Sequence, residues 1–260
     1  MVATVTRLSR YPIKGLSPEP LSSVTLHPGN GFTGDRAFAL ALPSTKFDED
    51  QPTPLPKTMF LMLARQEALA RLRTSYNEST GILSIKDGTH VLSEDIRNSN
   101  GRAAIERFFS GFLPANEVGQ PRLVTAKAHS FTDVGARSPE LMRAVSMINL
   151  ASVRDFESKL GEQVDPRRFR ANILVDGLPP WVELDWVGRK LAIGSVRFEG
   201  ARLTVRCPAT EVNPDTAVRD IRLPYELKRI YGHIHLGLYL YVESEGALSV
   251  GDEFVPPSEH

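Results

Sequence analysis

The chain has 260 residues, a formal net charge of zero, 24% charged residues and 41% hydrophobic residues. That balance excludes a disordered chain and supplies enough apolar surface for one large β-domain or two small ones. Neutrality leaves no electrostatic footprint for nucleic acid or an anionic membrane, so neither is expected as a partner.

Cys207 is the sole cysteine, so an intrachain disulfide and an iron–sulfur cluster held by a set of cysteines are both excluded. The N-terminal segment lacks the apolar stretch of roughly 7–15 residues that a secretory signal needs. The longest compact apolar run, Met59–Ala64, falls far short of the roughly 20 residues that span a bilayer. The expectation is a cytoplasmic protein with a reduced thiol and no membrane span.

Strand-like segments dominate. Val2–Ser9 alternates valine, threonine and leucine. Leu21–Leu26, Ala37–Leu42, Ile82–Lys86, Leu123–Ala126 and Ile173–Val175 are short and β-biased. Lys190–Ile193 and Val196–Phe198 flank Gly194-Ser195, and Arg202–Arg206 follows an expected turn at Glu199-Gly200. Leu236–Val242 and Asp252–Val255 close the series. Helices are fewer. Asp95–Phe109 offers Ile96, Ile105, Phe108 and Phe109 as an apolar face; Ser152–Leu160 has Ser152 as N-cap and Gly161 past its end; Tyr225–Tyr231 follows Pro224. Ser44–Lys57, rich in Pro, Asp and Thr, reads as an exposed loop. Strands and crossover helices do not alternate regularly, which argues against a doubly wound parallel sheet. The expected fold is mainly β with peripheral helices (α+β), an antiparallel β-barrel with an N-terminal β/α region. A soft boundary near Pro121–Ser130 divides it into residues 1–120 and 121–258, which are able to pack as one unit.

Gly29-x-Gly31-x-x-Gly34 matches a dinucleotide fingerprint by spacing, but Asp35–Leu40 reads as a strand where a helix is required. A turn between strands accounts for it better. His233-Ile234-His235 offers two imidazoles on one strand face, too few for a zinc site. Cys207 stands between Arg206 and a turn-rich segment, Pro208–Thr216. A lone cysteine is usually a small buried hydrophobe. A thiol at a strand end beside a guanidinium is instead placed to be accessible, and thiolate suits a soft metal centre. Lys14, Arg36, Arg167, Arg168 and Arg170 recur beside turns. They read equally as solvated charges or as converging donors for a phosphate.

Taken together, these segments resemble the MOSC family, named for the C-terminal domain of molybdenum cofactor sulfurase. Tyr11-Pro12-Ile13-Lys14-Gly15 looks like its N-terminal Tyr-Pro-Val/Ile-Lys motif. Gly34-Asp35-Arg36, Ala64-Arg65-Gln66-Glu67, Phe169-Arg170-Ala171-Asn172-Ile173 and Arg206-Cys207 followed by Val212-Asn213-Pro214-Asp215-Thr216 resemble further motifs in the same order. The chain resembles the amidoxime-reducing members among others. Ala171 departs from the usual proline, Gly15 from their serine, and Asp133–Val145 diverges, which bears on the substrate side.

The resemblance implies a molybdenum cofactor (molybdenum–molybdopterin) with Cys207 as ligand to the metal. It implies that Lys14, Arg36, Arg170 and Arg206 hold the pterin and its phosphate, with Gly15 and Tyr239 also at the cofactor. The function implied is an oxidoreductase that reduces N-hydroxylated or N-oxide small molecules, with electrons from a separate electron-transfer protein or reductase. Asn213 and Asp215 are candidates to orient substrate or relay protons, and equally candidates as turn-formers. The alternatives are a non-catalytic cofactor carrier and a sulfur carrier with a Cys207 persulfide.

Overall fold

The computed structural model describes residues 2–114, 118–126, 130–135, 138 and 140–258. Residues 127–129 of the expected boundary, and residues 136, 137 and 139 of the divergent segment, lie outside the described residues.

The first third forms β1 (Thr4–Arg10), β2 (Glu19–Leu21), β3 (Ser23–Leu26) and β4 (Phe38–Ala41). Then come β5 (Arg73–Asn77), β6 (Ile82–Asp87), β7 (His90–Asp95), α1 (Ser99–Phe112) and β8 (Arg122–Thr125). The remainder contributes β9 (Val145–Asn149), α2 (Leu150–Leu160), β10 (Ile173–Asp176), β11 (Lys190–Ile193) and β12 (Val196–Val205). It ends with α3 (Leu223–Tyr231), β13 (His235–Val242), β14 (Gly246–Ser249) and β15 (Phe254–Val255).

An eight-stranded sheet runs in the order β15-β11-β12-β13-β9-β10-β1-β2. The backbone of Phe254 donates to Ala3 O at 2.8 Å and that of Val5 to Asp252 O at 2.9 Å, so the sheet curls back toward β1. Its inner face buries Val5, Leu8, Met147, Ile173, Phe198 and Leu240 in one core. A second core lies between the β5-β6-β7 sheet and α1, built on Leu83, Ile85, Ile105 and Phe109. The fold is therefore mainly β with peripheral helices, as expected. One neighbouring pair in the large sheet is parallel: β9 with β10, joined across α2. A parallel pair needs such a crossover, and α2 supplies it.

Several local expectations change. Glu199-Gly200 is no turn, because β12 continues through it, with a register shift against β13 between Gly200 and Arg202. A Cβ on Gly200 would lie 1.9 Å from Trp186 O, so the glycine is there for close backbone approach. Asp95 ends β7, and α1 is capped by Asn98, whose side chain accepts from Gly101 N at 2.8 Å. Asn149, not Ser152, caps α2. In β1 the register shifts between Val5 and Arg7, so Thr6 and Arg7 are both exposed. Asp35-Arg36 is a turn, and the strand begins only at Phe38.

Candidate functional site

Lys14 and Gly15 lie in the loop after β1, Arg36 just before β4, and Arg170 after a 3-10 turn at Pro166–Phe169. Arg206 and Cys207 follow β12, and Tyr239 lies within β13. All seven line one cavity of about 390 Å³, within the roughly 300–1,000 Å³ of small-ligand sites.

Tyr11 organises the basic wall. The Arg36 and Arg170 guanidiniums each sit 4.5 Å from its ring centroid. Arg36 also donates through Nη2 to Arg170 O at 2.8 Å and pairs with Asp35. Both arginines have left-handed backbones, with φ of 49° and 54°. Side-chain-bearing residues adopt that region at a cost that the surrounding structure must offset, and such strain clusters at functional positions. Gly15 has φ of 83° and would bring a Cβ to 3.3 Å from Leu61 O.

Charge in this wall is only partly compensated. Arg206 donates from Nε to Leu236 O at 2.7 Å and from Nη1 to Phe169 O at 3.0 Å, both backbone acceptors. Arg170 donates to Leu16 O at 2.5 Å. Burial pulls both guanidinium pKa values down to about 10, which still leaves them charged at neutral pH. Burial also lowers the Lys14 pKa, against the pull of its partner Asp133. For Arg36, burial is outweighed by Asp35 and Tyr11, and its pKa is raised. Burial raises the Tyr239 phenol. The buried Thr204 Oγ1 lines the same cavity without a hydrogen-bond partner among the described residues. An unpaired buried hydroxyl beside uncompensated cations is the environment a polar, anionic ligand completes.

Two cavity residues went unforeseen. Lys57 ends the segment read as an exposed loop, yet its ammonium reaches Asp133 at 3.3 Å and also faces the Cys207 sulfur. Asp133 bridges Lys14 and Lys57, and the two lysines hold its carboxyl below the ordinary range despite burial. Neither stands in a periodic pattern, so nothing local in the sequence marks them. Asn213 and Asp215 do not line this cavity. The Asn213 side chain accepts from Asp215 N at 2.9 Å and donates to Asp220 at 2.7 Å. Asp215 is exposed and pairs with Arg73 and Arg167. His233 and His235 stack with ring centroids 5.6 Å apart. Among the described residues, no group of three or more His, Cys, Asp and Glu is placed to hold a metal ion.

Residues 126–255 match the family model of the MOSC domain, and residues 2–116 match that of the MOSC N-terminal beta barrel domain. The chain belongs to the MOSC family. It is 24% identical to mitochondrial amidoxime-reducing component 1 of Homo sapiens, across 96% of this chain and 82% of that protein. It is 31% identical to molybdenum cofactor sulfurase of Drosophila persimilis across 46% of this chain, a match that spans 16% of that protein. Among solved structures, the YUAD protein from Bacillus subtilis aligns with a TM-score of 0.45 at 12% identity, covering 98% of this chain and 94% of that one. Among the described residues, no helix of this MOSC chain is long and apolar enough to cross a membrane.

Proposed function

We propose that this MOSC protein binds a molybdenum–pterin cofactor in the 390 Å³ cavity and reduces N-hydroxylated or N-oxide small molecules. The observation that carries the reading is the convergence of the sole thiol, Cys207, with Lys14, Arg36, Arg170 and Arg206 on one cavity. The amidoxime-reducing relative supports the reaction class. Cys207 is the protein ligand to molybdenum. Lys14, Arg36 and Arg170 hold the phosphate, and Arg206 holds the pterin side together with Tyr239. Gly15, with φ of 83°, lets its loop turn against the Leu61–Leu63 backbone and so shapes that side of the cavity. A bound molybdenum centre supplies Lewis acidity and two-electron redox chemistry. Removing one oxygen from an N-hydroxylated substrate consumes two electrons and two protons and releases water. Lys57, beside Cys207 and facing the cavity, is placed to hold a proton and to orient a polar substrate.

Electrons come from a separate protein, since the Gly29–Gly34 segment leads into β4 and not into the helix that a nicotinamide site requires. Such encounters are commonly small, below about 1,200 Å². The test is elemental analysis of parent and Cys207→Ser protein, expressed in a host that makes the cofactor, followed by amidoxime turnover with a reduced viologen dye. The parent should hold molybdenum and turn over with the dye but not with NADH alone. Cys207→Ser should keep its fold and lose most of the metal. Equal metal in both proteins would sink the assignment of Cys207. A loaded parent that is inert with the dye would sink the enzyme reading.

A further inference from the structure

Behind the basic wall lies a second, smaller cavity of about 210 Å³, to which the proposed function assigns no role. It shares Arg168, Arg170 and Leu63 with the first cavity, and its remaining lining is its own. Arg7, Arg73 and Arg167 also line it, so five guanidiniums surround a small space. Three carboxylates answer them: Asp215 pairs with Arg73 and Arg167, Asp165 with Arg167, and Asp220 with Arg168. Arg7 is exposed and meets no carboxylate among the described residues. Among the described residues, the Arg170 guanidinium finds only the carbonyl of Leu16 and the Tyr11 ring.

Two donors lack an acceptor. Arg168 is 3% exposed, and its buried Nε has no hydrogen-bond partner among the described residues. Ser9 lines this cavity, and its hydroxyl, which is open to the cavity, makes no hydrogen bond among the described residues. A buried donor left unsatisfied is costly, and an anion would satisfy it. Apart from Ser17, whose hydroxyl pairs with Thr74, the rest of the lining is apolar, contributed by Pro18, Pro20, Ala70, Val212 and Pro214 beside Leu63. A bare phosphate would leave that floor in contact with nothing.

We propose that this cavity is a second ligand site that takes a small amphipathic carboxylate, its carboxylate on Arg7 and Ser9 and its apolar body against the proline-lined floor. The β1 bulge is what turns Arg7 to the outside face and into this position. Forked guanidinium donors suit a planar carboxylate, and the volume fits a ligand the size of a single substituted ring.

The test is calorimetric titration of the full-length, molybdenum-loaded chain with benzoate, benzamide and inorganic phosphate. Benzoate should saturate one site per chain, while neutral benzamide should not bind. Arg7→Gln and Ser9→Ala should each weaken benzoate by roughly tenfold or more and leave molybdenum content unchanged. Absence of saturable benzoate binding, or affinity equal to the parent's in both variants, overturns the proposal. Tight phosphate binding without benzoate binding overturns the amphipathic assignment. Benzoate that binds only cofactor-free protein would make this space part of the cofactor cavity and overturn the second site.

Discussion

Arg36 and Arg170 hold left-handed backbones, and both guanidiniums lie 4.5 Å from the Tyr11 ring centroid. Each hydrogen bond from a charged donor to a phosphate is worth about 1.5–3 kcal/mol, so Arg36→Ala or Arg170→Ala should raise the rate of cofactor loss during gel filtration by tenfold or more. Retention equal to the parent in both variants would show that neither arginine holds the ligand. A different residue governs stability. Glu183 is fully buried between Asn149 Nδ2 at 3.0 Å and Ser152 Oγ at 2.8 Å. Burial pushes its carboxyl above the ordinary 4.5, against those hydrogen bonds. A raised value means that the folded chain keeps a proton the unfolded chain has released. The stability from this group is thus fully present below about 4.5 and is lost as pH rises through the folded value. Urea unfolding across a pH series should show stability falling over that window in the parent and a flatter profile in Glu183→Gln. Identical slopes would mean that folding does not raise the Glu183 pKa.

At the scale of elements, the two capped helices separate capping from burial. Asn98 is exposed and accepts one amide hydrogen bond from Gly101, so Asn98→Ala should cost about 1 kcal/mol. Asn149 caps α2 through Ala151 N at 3.0 Å, but it is also fully buried and donates to Pro179 O at 2.8 Å and to Glu183. Asn149→Ala strips donors from buried acceptors as well, so about 2–4 kcal/mol is expected. Equal costs in chemical denaturation would show that the buried partners find substitutes. The same contrast explains what was legible in the sequence. Alternation exposed β1, richness in leucine and tyrosine exposed β13, and the Gly161 stop exposed the end of α2, because those signals are local. β5, with Arg73-Thr74-Ser75-Tyr76-Asn77, and β7, opening on His90, carry too little alternation of apolar side chains to be seen. They exist because β6 pairs with both. β9 is buried along its whole length, so it has no polar face to reveal it. Gly200 misled because a glycine needed for close approach to Trp186 looks, in sequence, like a turn.

At the scale of the molecule, the cavity is shared between the start of the chain and its second half. Lys14, Gly15, Arg36 and Lys57 face Arg170, Arg206, Cys207 and Tyr239. Motif order revealed most of that list, because each motif carries its own residue. Lys57 and Asp133 were hidden, since only the folded chain brings them to Cys207 and Lys14. The sheet is shared in the same way. β10 lies between β9 and β1, pairing Val175 with Val5 and Ile173 with Leu8. β15 leans on β1 through the hydrogen bond from Phe254 N to Ala3 O. Residues 121–258 alone would therefore leave β10 as an edge with Ile173 and Val175 uncovered, and an exposed apolar edge strand invites association. We expect that fragment to show no cooperative urea transition and to retain no molybdenum, while the full chain unfolds in one step. Mixing it with residues 1–120 should restore part of the transition, as the missing strands dock. A sharp, reversible transition in the fragment alone would show that the barrel closes without β1, and would make the two halves independent folding units.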